Sequence, residues 1–297
     1  MVAEPFADLE MPDGSTRADS GKVFIIRGTP QWEETLDLSN AASYPQVSAV
    51  YGGEEDLLGL GAVRAGDVNG DGISDIVLAA EYADFVEKDL QDAGAVFVIE
   101  GRANAFPSVF DMAKAPGSAV DAPSLRLYGG SNYYEKLTSY GALALADMNG
   151  DGIQDILAGS SEGILSPGND NTSIGHAYIV FGKKTWSNRT IECGIKGAPL
   201  GPEVTLVGGP NDSLTSMRGM EVGDLNGDGT KDLILGALYA DGPSESRESS
   251  GEAYVLLGTA VAPEINLADD LGNNIPHQSV YDFGAVTLGS SVTRTIT

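Results

Sequence analysis

The stretch GDVNGDGISDIVLAA, residues 66–80, crowds acidic and amide side chains into nine positions and then becomes apolar. The pattern D-x-N-x-D-G-x-x-D begins at Asp67 and ends at Asp75. It recurs in ADMNGDGIQDILAGS at 146–160 and in GDLNGDGTKDLILGA at 223–237. A single copy would indicate only a polar turn, because Asn, Asp and Gly tolerate turn geometry. Three copies with one internal spacing indicate a shared structural role.

Positions 1, 3, 5 and 9 of this loop offer side-chain oxygens, position 7 offers a backbone carbonyl, and Gly at position 6 permits a sharp bend. Ligation by several carboxylates, through oxygen alone, suits calcium better than the rigid octahedron of magnesium. The sequence therefore predicts three calcium sites. The predicted ligands are Asp67, Asn69, Asp71, Ile73 and Asp75 in the first site, Asp147, Asn149, Asp151, Ile153 and Asp155 in the second, and Asp224, Asn226, Asp228, Thr230 and Asp232 in the third.

Two other interpretations of the loops fit less well. An EF-hand needs a bidentate Glu at position 12 and flanking helices, whereas this position holds Leu78, Ala158 and Leu235. Metal-free Asx turns would not explain why carboxylates recur where neutral Asn or Ser would serve. Without a cation, the aspartates of one loop repel one another.

Other landmarks repeat with the loops, which begin 80 and 77 residues apart. Periods of this kind indicate a repeat architecture. The repeated segments are short, rich in β-branched and aromatic residues, and bounded by Gly, Pro, Asn or Asp, which is typical of strands. They are GKVFIIRG (21–28), GAVFVIEG (94–101), GHAYIVFG (175–182) and GEAYVLLG (251–258), the segments AVYGG, RLYGG and TLVGG that end at Gly53, Gly130 and Gly209, and the weaker TLDL (35–38), VFDM (109–112), TIEC (190–193) and EINL (264–267).

The runs after the loops, such as DIVLAA, are continuously apolar, as expected of strands buried on both faces. No stretch of the sequence has the pattern of a capped, amphipathic helix. One repeat therefore holds about four strands, which is the content of one β-propeller blade. The predicted fold is all-β, a propeller of four-stranded blades with three complete loop-bearing copies and a partial one. The copies are expected near 49–126, 127–204 and 205–268, the partial copy at 1–48, and a linker at 269–279.

Loops and strands together resemble the FG-GAP repeats of the integrin α-subunit β-propeller and its bacterial relatives. The FG pair corresponds to Leu60-Gly61 and Tyr140-Gly141, while Met217-Arg218 departs from it. The resemblance covers roughly residues 1–268 and implies a seven-bladed, calcium-stabilised propeller, exported from the cell, whose top face binds other macromolecules. Residues 280–297 resemble the opening strands of immunoglobulin-like modules that follow such repeats in bacterial surface proteins.

Charge and composition narrow the classes of partner. The chain has 17 basic and 43 acidic residues, a net charge of −26 that repels nucleic acid and anionic membranes. Cys193 is the only cysteine, so the chain holds no internal disulfide and no thiolate metal site. No apolar run is long enough to insert in a membrane. No signal peptide is visible, and because VAEPFAD (2–8) aligns with AAEYADF (79–85), we expect a truncated N-terminus and a fragment of a larger propeller.

Residues that could suggest an enzyme have structural explanations. Residues 159–163 match the hydrolase motif G-x-S-x-G, which needs a following helix and a His partner, but they occupy a strand position of the repeat. His176 corresponds to Lys22, Ala95 and Glu252 in the sister copies and is expected to be exposed. Cys193 aligns with apolar residues and is expected to be buried. The residues predicted to be packing anchors are Trp32, Phe106 and Trp186.

The sequence thus predicts a calcium-binding propeller segment of a secreted or cell-surface protein. It would act as a binding or adhesion scaffold without catalysis, and its partner would be a protein or a carbohydrate. The alternative is an accessory module of a secreted hydrolase or lyase whose catalytic domain lies outside these residues. A piece of a propeller alone is expected to be an open arc that self-associates, because unpaired strand edges invite pairing with other chains.

Overall fold

The computed structural model describes residues 1–11, 13–104, 106–130, 135–161, 174–186, 189–194, 201–209, 212–216, 219–242 and 247–258, and the backbone of 267–268, 274–275 and 280–282. Strands make up most of the regular structure in these ranges. The helical segments described there are short 3₁₀ turns at Leu38–Ser43, Val86–Lys88 and Ser139–Gly141. No helix of the described ranges has the length and apolarity to cross a membrane. The prediction of an all-β chain is confirmed.

In chain order the strands are β1 (Val2–Glu4), β2 (Leu9–Glu10), β3 (Thr16–Arg17), β4 (Lys22–Ile26), β5 (Val47–Tyr51), β6 (Val63–Gly66), β7 (Asp75–Ala80), β8 (Ala95–Ile99), β9 (Val109–Asp111), β10 (Leu125–Tyr128), β11 (Leu143–Ala146), β12 (Asp155–Ser160), β13 (His176–Val180), β14 (Thr190–Glu192), β15 (Val204–Val207), β16 (Met220–Gly223), β17 (Asp232–Ala237), β18 (Glu252–Leu256), β19 (Leu267–Ala268), β20 (Asn274–Ile275) and β21 (Val280–Asp282).

Four sheets follow one plan, in which consecutive strands pair antiparallel. The second sheet has the order β6-β7-β8-β10, and the third repeats it as β11-β12-β13-β15. The first sheet begins with β1 followed by β4 and β5, and the fourth contains β16, β17 and β18. Two further strand pairs, β2 with β3 and β19 with β20, lie outside these sheets. Small antiparallel sheets of up to four strands, repeated along the chain, are the architecture of β-propeller blades.

A parallel strand is added to the outer side of three sheets, as the fourth strand of the first sheet and the fifth of the second and third. Strand β9 pairs with β5, β14 with β10, and β21 with β15. The predicted strands at 109–112 and 190–193 therefore exist, but each completes the sheet of the preceding repeat. Residues 280–282 are the only described part of the segment predicted to begin an immunoglobulin-like module, and they take this outer position on the third sheet.

The weak element at 35–38 is not a strand, and that prediction is wrong. Asp37 accepts hydrogen bonds from both the N–H and the hydroxyl of Ser39, at 3.0 and 2.6 Å, and caps the 3₁₀ turn that begins at Leu38. Local side-chain capping competes with strand formation for residues of this type. Of the related element at 264–267, only Leu267 lies within the described residues, in β19.

The apolar cores lie between neighbouring sheets. On β7 the buried side chains alternate, because Ile76, Leu78 and Ala80 pack toward the first sheet while Val77 and Ala79 pack toward the third. A comparable core joins the third sheet to the fourth. Full burial of one aliphatic side chain contributes about 1.5–3 kcal/mol. Strands β7 and β12 therefore need apolar residues on both faces, which explains their uninterrupted apolar runs. On β17 only Leu233, Leu235 and Ala237 pack in a core, while Ile234 is half-buried, so the prediction of burial on both faces is wrong for this strand.

Candidate metal centres

The three acidic loops join equivalent strands, namely β6 to β7, β11 to β12 and β16 to β17. The aspartate at position 9 opens the second strand of each sheet and is fully buried. Asp75 accepts the N–H of Val68 at 2.9 Å from its own loop and the N–H of Gly101 at 2.7 Å from the end of the third strand. The corresponding donors are Met148 and Gly182 to Asp155, and Leu225 and Gly258 to Asp232. Position 9 thus ties the loop to two strands.

The carboxylate at position 1 lies inside the turn of its loop. Asp67 Oδ1 accepts the N–H groups of Gly70 and Asp71 at 2.6 and 3.2 Å, and Oδ2 accepts that of Gly72 at 2.8 Å. Gly70 and Gly72 have φ values of +71° and +83°, which glycine adopts without strain. Asp147 and Asp224 make the same three bonds in their loops.

Positions 3 and 5 complete the turn. Asn69 Oδ1 accepts the N–H of Asp71 at 2.9 Å, and Asp71 Oδ1 accepts the N–H of Ile73 at 2.7 Å. The second and third loops repeat both bonds. In the third loop the hydroxyl of Thr230 also donates to Asp228 Oδ1. All fifteen predicted ligands therefore lie in three turns of one design.

The turns do not bring the carboxylates together as a closed ligand shell. In the part of the chain that the structure describes, no three His, Cys, Asp or Glu side chains come close enough to hold a metal ion. The loop oxygens instead accept backbone N–H groups. By type the donors fit a hard divalent cation, since they are all oxygens and include three carboxylates per loop. No ion pair among the described residues uses a loop aspartate.

The electrostatics of the loops are those of crowded negative charge. Burial, together with the nearby charges of Asp151 and Asp147, raises the pKa of Asp155 to about 7, although two N–H groups oppose the shift. Burial also raises the pKa of Asp75. In the exposed third loop, hydrogen bonds from Thr230 hold the pKa of Asp228 below its usual range. A cation beside such carboxylates would favour their charged forms.

One buried polar cluster was not foreseen. His176 was expected to be exposed, but it is only 4% exposed, so that expectation is wrong. Its strand runs between β12 and β15, its Nδ1 lies 3.8 Å from Glu135 Oε1, and its ring stacks on Tyr178. Burial lowers the pKa of His176, against the opposing charge of Glu135. The hydroxyl of Tyr178 donates to Glu135.

The sequence does carry a signal for Glu135. An acidic residue follows each Gly-Gly pair and accepts the N–H of its second glycine, as Glu135 does from Gly130 at 2.8 Å. Asp56 accepts from Gly53 at 2.6 Å and Asp212 from Gly209 at 2.8 Å. All three acids are buried. The repeated order, two glycines and then an acid, could have identified them.

The candidate nucleophile of residues 159–163, Ser161, has a structural partner. Its Oγ lies 3.1 Å from Ser139 Oγ, which also accepts the N–H of Ser161. Residues 162 and 163 of the motif lie outside the described residues. Cys193 is buried in the core between the second and third sheets, as predicted, and burial raises the pKa of its thiol well above the usual value.

Two of the three predicted packing anchors are confirmed. Phe106 packs edge-on against Phe110, and Trp186 packs against the core between the second and third sheets. Trp32 is 57% exposed, so the prediction for it is wrong. It lies in the loop after β4, where residues 31–35 are all exposed and no sheet covers them.

Comparisons with known proteins agree with this geometry. The FG-GAP repeat is recognised at residues 60–99 and 220–256, two segments that each contain a loop and the third strand of a sheet. Integrin alpha-4 of Xenopus laevis is 24% identical over 230 residues, covering 73% of this chain and 18% of that protein. Integrin alpha pat-2 of Caenorhabditis elegans is 25% identical over 284 residues, covering 92% of this chain and 20% of that protein. Integrin alpha-E of Mus musculus is 25% identical over 163 residues, covering 54% and 12%. The chain thus spans a fifth or less of the length of these relatives.

Proposed function

We propose that this chain of FG-GAP repeats, similar to the propeller region of integrin α-subunits, is a calcium-binding propeller segment that works as an adhesion or binding scaffold outside the cell. The observation that carries the proposal is the repetition of one hydrogen-bonded turn around Asp67, Asp147 and Asp224. Each turn carries the same set of oxygen atoms that could bind a metal. Among the described residues, no basic side chain forms an ion pair with an aspartate of these turns.

Calcium would have a structural role in this proposal. The aspartates, Asn and position-7 carbonyl of each loop would hold the ion. Since position 9 opens the second strand and already connects the loop to the end of the third, an ion in the loop that follows the first strand would hold three strands of a sheet together. With free calcium about tenfold above Kd, each site would add about 1.4 kcal/mol to the free energy of unfolding. Three sites would add about 4 kcal/mol, against a typical total of about 5–15 kcal/mol.

The scaffold role rests on the relatives and on charge. Likeness to integrin α-subunits supports a protein partner and a location at the cell surface or outside the cell. The net charge of −26 argues against nucleic acid or anionic membrane as the partner. Calcium modules outside cells operate with dissociation constants of about 10⁻⁴–10⁻³ M, within reach of exposed carboxylate loops.

The test is a calcium titration of the purified chain by calorimetry, with thermal melts in calcium and in chelator. We expect three equivalents to bind, and chelator to lower the melting temperature by several degrees. The control is a triple variant, Asp71→Asn, Asp151→Asn and Asp228→Asn, which should melt alike in calcium and chelator. If millimolar calcium neither binds nor moves the melting temperature of the wild-type chain, the proposal is wrong.

A further inference from the structure

We infer that the first and second acidic loops form one coupled pair, positioned by Gln154, while the third loop is independent. The inference rests on the proposed binding of calcium and adds that binding at one loop of the pair favours binding at the other. It follows from contacts that join the first loop to the second, of which those of Gln154 have no counterpart between the second loop and the third among the described residues.

Gln154 makes hydrogen bonds with both the backbone N–H and the carbonyl oxygen of Asp67, the first predicted ligand of the neighbouring loop. Its side-chain Oε1 accepts the N–H of Asp67 at 3.0 Å, and its own N–H donates to the carbonyl oxygen of Asp67 at 2.9 Å. Gln154 lies at position 8 of the second loop, between the predicted ligands Ile153 and Asp155. The backbone of the first ligand in one site is thus fixed by a residue inside the other.

A second path joins the same loops. Lys183 donates its N–H to the carbonyl oxygen of Val68 at 3.1 Å. The preceding residue, Gly182, donates to the carboxylate of Asp155 at 2.9 Å. The last carboxylate of the second loop and position 2 of the first therefore bind adjacent residues of the segment after β13. Movement in either loop acts on this segment.

Glycine at position 66 makes the contact possible. A Cβ built on Gly66 would lie 2.0 Å from Gln154 Oε1, and a Cβ on Gly70 would lie 2.8 Å from the Cδ1 of Ile153. A side chain at either position would therefore displace the facing side chain of the second loop, Gln154 at position 66 and Ile153 at position 70. The pair of residues that defines this junction is Gly66 with Gln154.

The junction between the second and third loops lacks both members of that pair. Ala146 takes the place of Gly66, and Lys231 takes the place of Gln154. Among the described residues, Lys231 makes no hydrogen bond to Asp147, and a Cβ on Gly150 would have nothing within 4 Å. The third loop is also the most exposed, with Asp224, Asn226 and Asp228 all open to solvent.

Ordering one loop of the pair should lower the entropic cost of ordering the other, which gives positive coupling without a large structural change. Coupling is reciprocal, so each site raises the affinity of the other by the same factor. Factors of about 5–150 are typical for such coupling, and two or three hydrogen bonds support the lower end. We expect about five- to tenfold.

The experiment titrates calcium into the full chain with Asp228→Asn, which weakens the third site, and follows the amide signals of Gly72 and Gly152 by NMR. In this background the two signals should shift together and cooperatively. Gln154→Ser, which installs the residue found at position 74, should weaken the first site about five- to tenfold and separate the two transitions. Gly66→Ala, which installs the residue found at position 146, should do the same.

Matched controls use the equivalent positions of the third loop, where the contact is absent. In the chain that retains Asp228, Lys231→Ser and Gly223→Ala should leave the affinity of all three sites within twofold, because a Cβ on Gly223 meets nothing within 4 Å. If calcium binds but the two transitions are independent, and Gln154→Ser does not change them, the inference of coupling is wrong while the proposed function stands. Absence of calcium binding in the unmodified chain would overturn the proposed function together with it.

Discussion

Leu137 donates its backbone N–H to the carbonyl oxygen of Ala93 at 2.9 Å, and this bond holds the loop before the third sheet against the start of β8. Leu58 bonds to Ser20 and Leu214 to Ile174 in the same way, at 3.2 and 3.1 Å. Each acceptor immediately precedes a glycine with positive φ. The glycines that precede β4, β8 and β13, namely Gly21, Gly94 and Gly175, are therefore part of joints between neighbouring sheets.

Gly94→Ala should break this joint. A Cβ there would lie 2.2 Å from the nitrogen of Leu137, and the φ of +72° adds strain for any other residue. Left-handed backbone alone costs about 1–2 kcal/mol, so we expect a larger loss, about 3 kcal/mol or more, in urea unfolding. Gly14→Ala is the control, because Gly14 has a φ of +84° but nothing within 4 Å of its added Cβ. Equal losses for the two variants would show that the joint contributes nothing beyond backbone strain.

Two substitutions in the third loop distinguish calcium ligation by a backbone carbonyl from ligation by a side chain. If the backbone oxygen of Thr230 is the ligand, Thr230→Val should change calcium affinity at this site less than about threefold, since only the hydroxyl bond to Asp228 is lost. Asp228→Asn removes a carboxylate and should weaken the site at least tenfold. Calorimetry on a chain with the other two sites removed measures both. Similar losses from both changes would mean that position 7 does not bind through its carbonyl.

Asp56 should make stability depend on pH. Burial raises the pKa of Asp56 from 3.8 to about 6, so the folded state binds more protons than the unfolded state between these values. The free energy of unfolding should therefore fall as pH rises from about 4 to about 6 and then level off. Asp56→Asn keeps an acceptor for the N–H of Gly53 and should be more stable than wild type by about 1–3 kcal/mol at pH 7.5.

The control for that variant is Glu54→Gln, at an exposed position two residues earlier. Urea unfolding at pH 4.5, 6 and 7.5 in chelator gives the difference between wild type and each variant. A stability difference for Asp56→Asn that stays constant over this range would contradict the prediction, whereas Glu54→Gln should show little dependence on pH.

His176 should change the free energy of unfolding with pH in the direction opposite to that of Asp56. Burial holds its pKa in the folded state below the ordinary value of 6.5. As pH falls below about 6.5, the unfolded state takes up a proton that the folded state resists, and stability is lost until the folded pKa is reached. His176→Gln should remove this loss. The free energy of unfolding of the wild type, minus that of the variant, should therefore decrease as pH falls from 6.5 to 5. NMR titration of the imidazole gives the pKa directly, and a value at or above 6.5 would contradict the assignment.

The sequence predicted those elements whose signals are local. The strands after the loops are indicated by their apolar runs, because both faces of β7 and β12 and one face of β17 contact a core. The outer strands β9 and β14 were foreseen as strands but not as partners of β5 and β10, since parallel pairing across some sixty residues leaves no local pattern. The burial of His176 depends on Glu135, which is distant in sequence, so alignment with Lys22 and Glu252 was misleading.

The parallel outer strands have a consequence for how the chain folds during synthesis. The sheet that contains β10 is complete only when Thr190–Glu192 pairs with Leu125–Tyr128. At about 5–20 residues per second, the ribosome makes that partner roughly 3–12 s after β10 itself. For that interval the outer edge of β10 presents its backbone groups to any nascent chain nearby, and adjacent chains on one polysome carry the same strand. We expect nascent chains stalled after residue 180, in which β10 has emerged from the ribosome but β14 has not been made, to be cleaved near β10 by protease. Chains stalled after residue 230 should be protected there.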